Sequence, residues 1–235
     1  MAFDPLDNAV WHALTGPRRA LGEHRPRAAR FAPEVSPFAA IVDEPDAAAW
    51  ADLGDLVGPG GVAVLFRRPV ELPATWETMT TLAGVQMVAV DVGAPGAAPG
   101  GDGALAEVVE LGATDVPEML ELVAATQPGP FGTRTVEFGG YVGVRREGRL
   151  VAMAGERLRL DGHTEISAVC TDERYRGQGL AGLLVRVVVH RIRERGETAF
   201  LHAAGTNETA IRLYDSLGFE TRTLIDGSVV RAPAG

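Results

Sequence analysis

The stretch Glu165-Ile-Ser-Ala-Val-Cys-Thr-Asp-Glu-Arg-Tyr-Arg-Gly-Gln-Gly-Leu-Ala-Gly182 holds the pattern around which the rest of the chain arranges itself. Ile166 to Cys170 is a short apolar run and predicts a buried strand. It breaks into a charged turn, Thr171 to Tyr175, and then into Arg176-Gly177-Gln178-Gly179, whose glycines open an amphipathic helix. The first amides of a helix have no intrahelical acceptor, and the helix dipole favours an anion beside them. Glycine lacks a Cβ, so a ligand can approach the backbone closely. A strand running into such a turn is therefore suited to phosphate or pyrophosphate.

Downstream, apolar residues at 180, 183, 184, 187, 188 and 192 form a helical stripe that Gly196 stops. Thr198 to Ala203 predicts a strand. Asn207 to Leu217 predicts a second helix, closed by Gly218. Phe219 to Ile225 and Val229-Val230 predict the last strands. Upstream, Val108 to Leu111 reads as a strand. A helix follows from Thr114-Asp115-Val-Pro117, with Met119, Leu120, Leu122 and Val123 on its apolar face. Gln127 to Gly132 is a turn-rich loop. Tyr141 to Val144 and Leu150 to Ala154 flank Arg145 to Gly148 as a hairpin, and Glu156 to Leu160 extends its second strand. Thr164 to Thr171 follows. The resulting order is β-α-β-β-β-α-β-α-β, a mixed α/β sheet.

The first ninety residues predict a smaller α/β unit: a helix over Asp7 to Leu14, strands at Phe38 to Val42, Val62 to Phe66 and Val85 to Val92, and a helix over Asp46 to Leu56. Arg18 to Arg30 is basic and reads as a solvated, partly irregular segment. Gly93 to Gly103 holds five glycines and two prolines and predicts a linker. The expected organisation is an N-terminal unit over 1–92, a linker over 93–103 and a second domain over 104–235. Residues 1–92 read either as a degenerate copy of the second domain or as a lid over its pocket.

The composition is globular, with 46% hydrophobic and 23% charged residues. A formal net charge of −9 argues against a nucleic-acid partner, which would require clustered basic side chains. No apolar run is long enough to span a membrane and no secretory signal opens the chain, so the cytoplasm is the expected location. One cysteine, Cys170, excludes an intramolecular disulfide framework and a multi-cysteine zinc site. Lying in an apolar strand, it reads as a small buried side chain.

Gly177-x-Gly179-x-x-Gly182 also fits a dinucleotide fingerprint, but there the glycines follow the strand at once. Here a six-residue turn, Thr171 to Arg176, intervenes, and the Lys-Ser/Thr of a nucleotide-triphosphate loop is missing. Arg174-Tyr175-Arg176-Gly177-Gln178-Gly179-Leu180-Ala181 instead resembles the Arg/Gln-x-x-Gly-x-Gly/Ala signature of the Gcn5-related N-acetyltransferases. Asn207-x-x-Ala210-x-x-x-Tyr214-x-x-x-Gly218-Phe219 resembles the following helix and strand start of that family. The resemblance covers about residues 104–225 and lies nearest the FR47-like and glycine N-acyltransferase-like branch.

That resemblance implies acetyl-CoA or another acyl-CoA as cofactor. The pyrophosphate would sit on the amides of Arg176, Gly177, Gln178, Gly179, Leu180 and Ala181, with Arg174 at the start of the motif. The pantetheine arm would pair with Val169, Cys170 and Thr171. Asn207, Ala210 and Tyr214 share one helical face, which would contact the arm, and Tyr214 would donate a proton to the leaving thiolate. Asn207 is also a natural N-cap.

The base that deprotonates the acceptor is open among Glu165, Glu156 and Glu137, with Glu165 favoured, and relay through water to bulk is a further route. His163 and His202 are candidate polar groups of the site, though a lone histidine reads first as structural. The expected activity is direct transfer of an acyl group to an amine, without a covalent enzyme intermediate. A non-catalytic acyl-CoA sensor is the alternative. The acceptor, small molecule or peptide, and the choice between monomer and homodimer are not legible.

Overall fold

The computed structural model describes residues 4–97, 105 and 107–235. Of the expected linker, residues 98–103 lie outside the described residues. Among the described residues eleven strands form one sheet: β1 (Gly22–His24), β2 (Ala28–Phe31), β3 (Phe38–Ile41), β4 (Val62–Arg67), β5 (Glu77–Ala89), β6 (Val108–Glu110), β7 (Val142–Arg146), β8 (Arg149–Leu160), β9 (His163–Thr171), β10 (Thr198–Ala204) and β11 (Phe219–Arg231). The helices are α1 (Ala9–Thr15), α2 (Ala47–Val57), α3 (Val116–Thr126), α4 (Leu180–Glu194) and α5 (Glu208–Leu217).

The strand order is β1-β2-β3-β4-β11-β5-β10-β9-β8-β7-β6. The sheet is mixed, with β3–β4 and β9–β10 parallel and the other pairs antiparallel. The second half keeps the expected order of strands and helices. β5 comes from the first ninety residues, yet it lies between β11 and β10. The core crosses the same point: Leu6, Val10 and Leu14 pack in one cluster with Met119, Met153, Leu158 and Phe200. Sheet and core thus run across the expected boundary at residues 92–93.

The opposite face is covered by α4 and α5, whose Leu183, Val188, Ile192 and Leu217 pack against strands β5 and β7 to β11. Caps fix the helix ends. Asp46 Oδ1 accepts from Ala49 N–H at 3.0 Å to start α2, and Asn207 Oδ1 accepts from Ala210 N–H at 3.1 Å to start α5. At the end of α5 only glycine fits. Gly218 has φ +96°, and a Cβ there would come within 2.3 Å of Asp91 O.

Three expectations change. Arg18 to Arg30 is more regular than expected, because Gly22 to His24 and Ala28 to Phe31 pair as an antiparallel hairpin. Its Arg18 is directed inward, donating to Arg157 O at 3.1 Å and lying 5.7 Å from the Phe138 ring centroid. Strand β5 starts at Glu77 rather than Val85. Its first seven residues are exposed and show no alternation, and pairing with β11 holds them extended. The last strand is continuous, with irregular register at Thr221/Thr223 and Val229/Val230 where two pieces had been expected.

Candidate active site

Strands β9 and β10 pair only from His163↔Thr198 to Ile166↔Leu201 and then separate. β10 stays with β5 and β9 stays with β8, so beyond Ile166 the edge of β9 facing β10 is open. A bulge sharpens the departure. Ser167 pairs with Gly155 and Cys170 with Met153, which leaves one extra residue on β9. Ala168 takes it up at φ +54°, a conformation that costs a non-glycine residue about 1–2 kcal/mol.

A cavity of about 1080 Å³ opens in the gap. Val169, Cys170 and Thr171 form one wall, and Arg176, Gly177, Gly179, Leu180 and Ala181 close one end. Gly177 and Gly179 are left-handed, at φ +76° and +78°. The first intrahelical bond of α4 runs from Leu183 N–H to Gly179 O, so the amides of Leu180, Ala181 and Gly182 lack intrahelical acceptors. Asn207, Ala210 and Tyr214 line the cavity from α5. Because Asn207 uses Oδ1 as a cap, its side-chain amide N–H groups are left to face a ligand.

Two expected contacts lie elsewhere. Gln178 and Arg174 are not among the cavity walls. Arg174 folds back on Asp172, donating from Nε at 3.1 Å and Nη2 at 2.8 Å. Those hydrogen bonds, with that of the Arg174 amide, hold the Asp172 carboxyl at about 2. Arg174 therefore shapes the turn.

The three candidate bases are also placed away from the cavity. Glu165 is 0% exposed. Arg157 grips both its oxygens, from Nε at 2.8 Å and Nη2 at 2.6 Å, and His202 Nδ1 meets it at 2.7 Å. Burial would raise its pKa, but the Arg157 charge and these hydrogen bonds outweigh that and hold it at about 2. A carboxylate so stabilised and enclosed is a poor proton acceptor, which corrects its favoured place as base. Glu156 is buried against Arg195 at 2.9 Å, and Glu137 is paired with Arg134 at 2.6 Å in its loop. His163 Nδ1 meets the Asp161 carbonyl, at 3.1 Å.

His202, which the sequence favoured as structural, lines the cavity. Gln86 fixes its tautomer. The Gln86 carbonyl accepts from Arg222 at 2.8 Å, and its amide donates to Leu6 O at 2.8 Å and meets His202 Nε2 at 2.9 Å. Nε2 is then an acceptor, and Nδ1 carries the proton toward Glu165. Burial pushes the His202 pKa down against the pull of Glu165, and a proton on Nε2 would face the Gln86 N–H. Both effects favour the neutral ring.

Tyr214 and Cys170 stand close enough to interact. Burial, with Cys170 adding to it, pushes the Tyr214 phenol up to about 12. Burial likewise raises the Cys170 thiol to about 11, against hydrogen bonds from Thr126 and Met153. A thiol held protonated is no nucleophile at neutral pH.

The rest of the wall comes from elements that sequence reasoning assigned no site role. Phe38, Val64 and Phe66 reach it from β3 and β4, Leu82 from β5, Val229 from β11 and Arg157 from β8. Their strands read simply as apolar, and periodicity does not show which apolar face borders a cleft.

Comparison with known proteins agrees with this geometry. The FR47-like protein family matches residues 141–225. A solved structure of a GNAT-family protein from Novosphingobium aromaticivorans is 37% identical, covering 98% of this chain and 99% of that chain, with a TM-score of 0.83. A mycothiol acetyltransferase from Thermomonospora curvata is 37% identical over 82 residues, 34% of this chain and 27% of that relative. The chain thus matches about a quarter of the length of that protein. The ribosomal protein bS18-alanine N-acetyltransferase of Escherichia coli is 28% identical over 125 residues, 50% of this chain and 82% of that enzyme.

Proposed function

Since the chain belongs to the GCN5-related N-acetyltransferase (GNAT) family, we propose that it transfers an acetyl or other acyl group from acyl-CoA directly to an amine. The parting of β9 from β10, with a helix N-terminus at one end of the gap, carries this reading. An open strand edge suits the amide-bearing pantetheine arm, which adds to Val169–Thr171 as a short strand does. The glycine turn and first amides of α4 suit the pyrophosphate. Residues 1–92 supply part of the acceptor wall.

Within a ternary complex the amine nitrogen attacks the thioester carbonyl carbon and the C–S bond then breaks. At a pKa of about 12, Tyr214 stays protonated at every working pH. Complete transfer of its proton to a thiolate of ordinary pKa, about 8.5, is uphill. Its O–H therefore acts as a strengthening hydrogen bond to the departing sulfur. The neutral Cys170 thiol fits direct transfer rather than a cysteine-bound intermediate.

Among the described residues, no carboxylate lines the cavity and His202 Nε2 is occupied by Gln86. The acceptor ammonium therefore loses its proton to water at the cavity mouth. In a pH series kcat/KM rises up to the acceptor's own pKa, and the limb moves when an amine of lower pKa is used. A limb fixed near 6.5 for all amines would instead mark an enzyme imidazole.

The deciding experiment is CoA release from acetyl-CoA with an amine panel, comparing wild type with Tyr214→Phe. Turnover falling about 10²–10³-fold in kcat, with acetyl-CoA binding retained, is expected for loss of a hydrogen bond that grows at the transition state. Binding without turnover on any amine would reject catalysis.

A further inference from the structure

The acceptor end of the cavity has its own chemistry, and the inference drawn from it rests on the acyltransferase reading above. Phe38 and Phe66 stack at 5.8 Å, and the His202 ring stands edge-on to Phe66 at 4.5 Å. Val64, Leu82 and Val229 add apolar surface. The charged side chains on the cavity wall are both cations, Arg157 and Arg176, and among the described residues no Asp or Glu reaches it. Arg176 lies at the glycine turn, where the cofactor phosphates would draw it. Arg157 is at the other end, its guanidinium 4.9 Å from the centroid of the Phe38 ring.

Arg157 occupies a bulge in β8, where Glu156 pairs with Ile166 and Arg159 with Thr164, leaving an extra residue between them. Its side chain is 10% exposed. Nε and Nη2 are committed to Glu165, but among the described residues no acceptor meets Nη1. Arg157 borders the cavity, so Nη1 opens to it, and an oxygen brought by a ligand would give it a charge-assisted hydrogen bond.

We propose that the acceptor is a small amine carrying one positive charge, an aromatic or branched aliphatic body that packs on Phe38 and Phe66, and an oxygen acceptor for Arg157 Nη1. A second ammonium would leave water, find no carboxylate on these walls and face the Arg157 cation instead. The negative net charge of the chain, −9, lies elsewhere on the molecule. The oxygen can be a carboxylate, as in a free amino acid, or an amide carbonyl.

The test measures kcat/KM by CoA release for phenylalanine, phenylalaninamide, phenethylamine and spermidine. Phenylalanine or phenylalaninamide should exceed phenethylamine at least tenfold, and phenethylamine should exceed spermidine at least tenfold. The leading member of the first pair distinguishes carboxylate from carbonyl. Spermidine turned over as fast as the aromatic amines, or phenethylamine as fast as its oxygen-bearing relatives, overturns the assignment while leaving the acyltransferase intact. Release of no CoA with any amine overturns both.

A variant supplies an independent reading. Leu82 is 58% exposed at the cavity rim, so Leu82→Glu is compatible with folding and adds the missing carboxylate. It should raise kcat/KM for spermidine at least tenfold over wild type. No gain in a folded Leu82→Glu protein, judged by an unchanged melting temperature, would count against the charge argument.

Discussion

Glu165 shows how one residue changes meaning between sequence and structure. At the start of a strand leading to the glycine turn it reads as a base. In the fold it is the counter-ion of a buried arginine and the anchor of a neutral histidine. Nothing local in the sequence pairs Arg157 with Glu165, because the contact joins neighbouring strands through a register set by bulges in β8 and β9. Replacing Glu165 with Gln leaves the Arg157 charge buried without a partner, and such losses cost about 3–5 kcal/mol. Urea denaturation of Glu165→Gln at neutral pH should show a destabilisation of that order. The acid limb gives a second check. The Glu165 pKa is about 2 in the fold against 4.5 for the free group, so the unfolded chain binds the proton more tightly. Its contribution is complete above pH 4.5 and is lost as pH falls toward 2. In Glu165→Gln that part of the acid dependence should be missing from the pH–stability curve.

At the scale of elements, the glycine turn and α5 were the most legible parts, because their chemistry is local. A left-handed glycine, a cap and a helical stripe are each written within a few residues, as Gly177, Gly179 and Asn207 demonstrate. The hairpin at Gly22–Phe31 and the outer part of β5 were not legible. The hairpin strands are only three and four residues long, too short to carry a pattern, while the outer part of β5 pairs with distant β11, and its exposed residues such as Thr80 and Thr81 carry no alternation. The turn also sets a prediction of its own. A Cβ at Gly177 would meet nothing within 4 Å, so Gly177→Val is opposed by its φ of +76° and not by crowding. It should cost about 1–2 kcal/mol of stability. Its branched side chain would stand where, on the proposed reading, phosphate approaches the amides. Calorimetry should find acetyl-CoA bound at least tenfold more weakly, with a folded protein by circular dichroism.

At the scale of the whole molecule, the strand order has a near-symmetry about the central pair β11–β5. Inward from one edge it runs β1-β2-β3-β4, and from the other β6-β7-β8-β9-β10. The parallel unit β3–α2–β4 answers to β9–α4–β10 across that pair. In the second unit the strands part and leave an open edge. In the first the matching gap is filled by Arg67, which donates to the carbonyls of Ile41, Val42 and Asp43 at 3.2, 2.8 and 2.7 Å. The helix start is occupied as well, since Asp46 caps α2 with its carboxylate and pairs with Arg27 at 3.1 Å. A negative side chain there excludes a phosphate that the same helix end would otherwise attract. Near-symmetry of the backbone therefore does not make two equivalent sites, because side chains that satisfy the first unit's backbone leave no edge or anion pocket for a ligand. Isothermal titration of the full chain with acetyl-CoA should give one site per chain. Two sites of similar affinity would show that Arg67 and Asp46 yield to the cofactor.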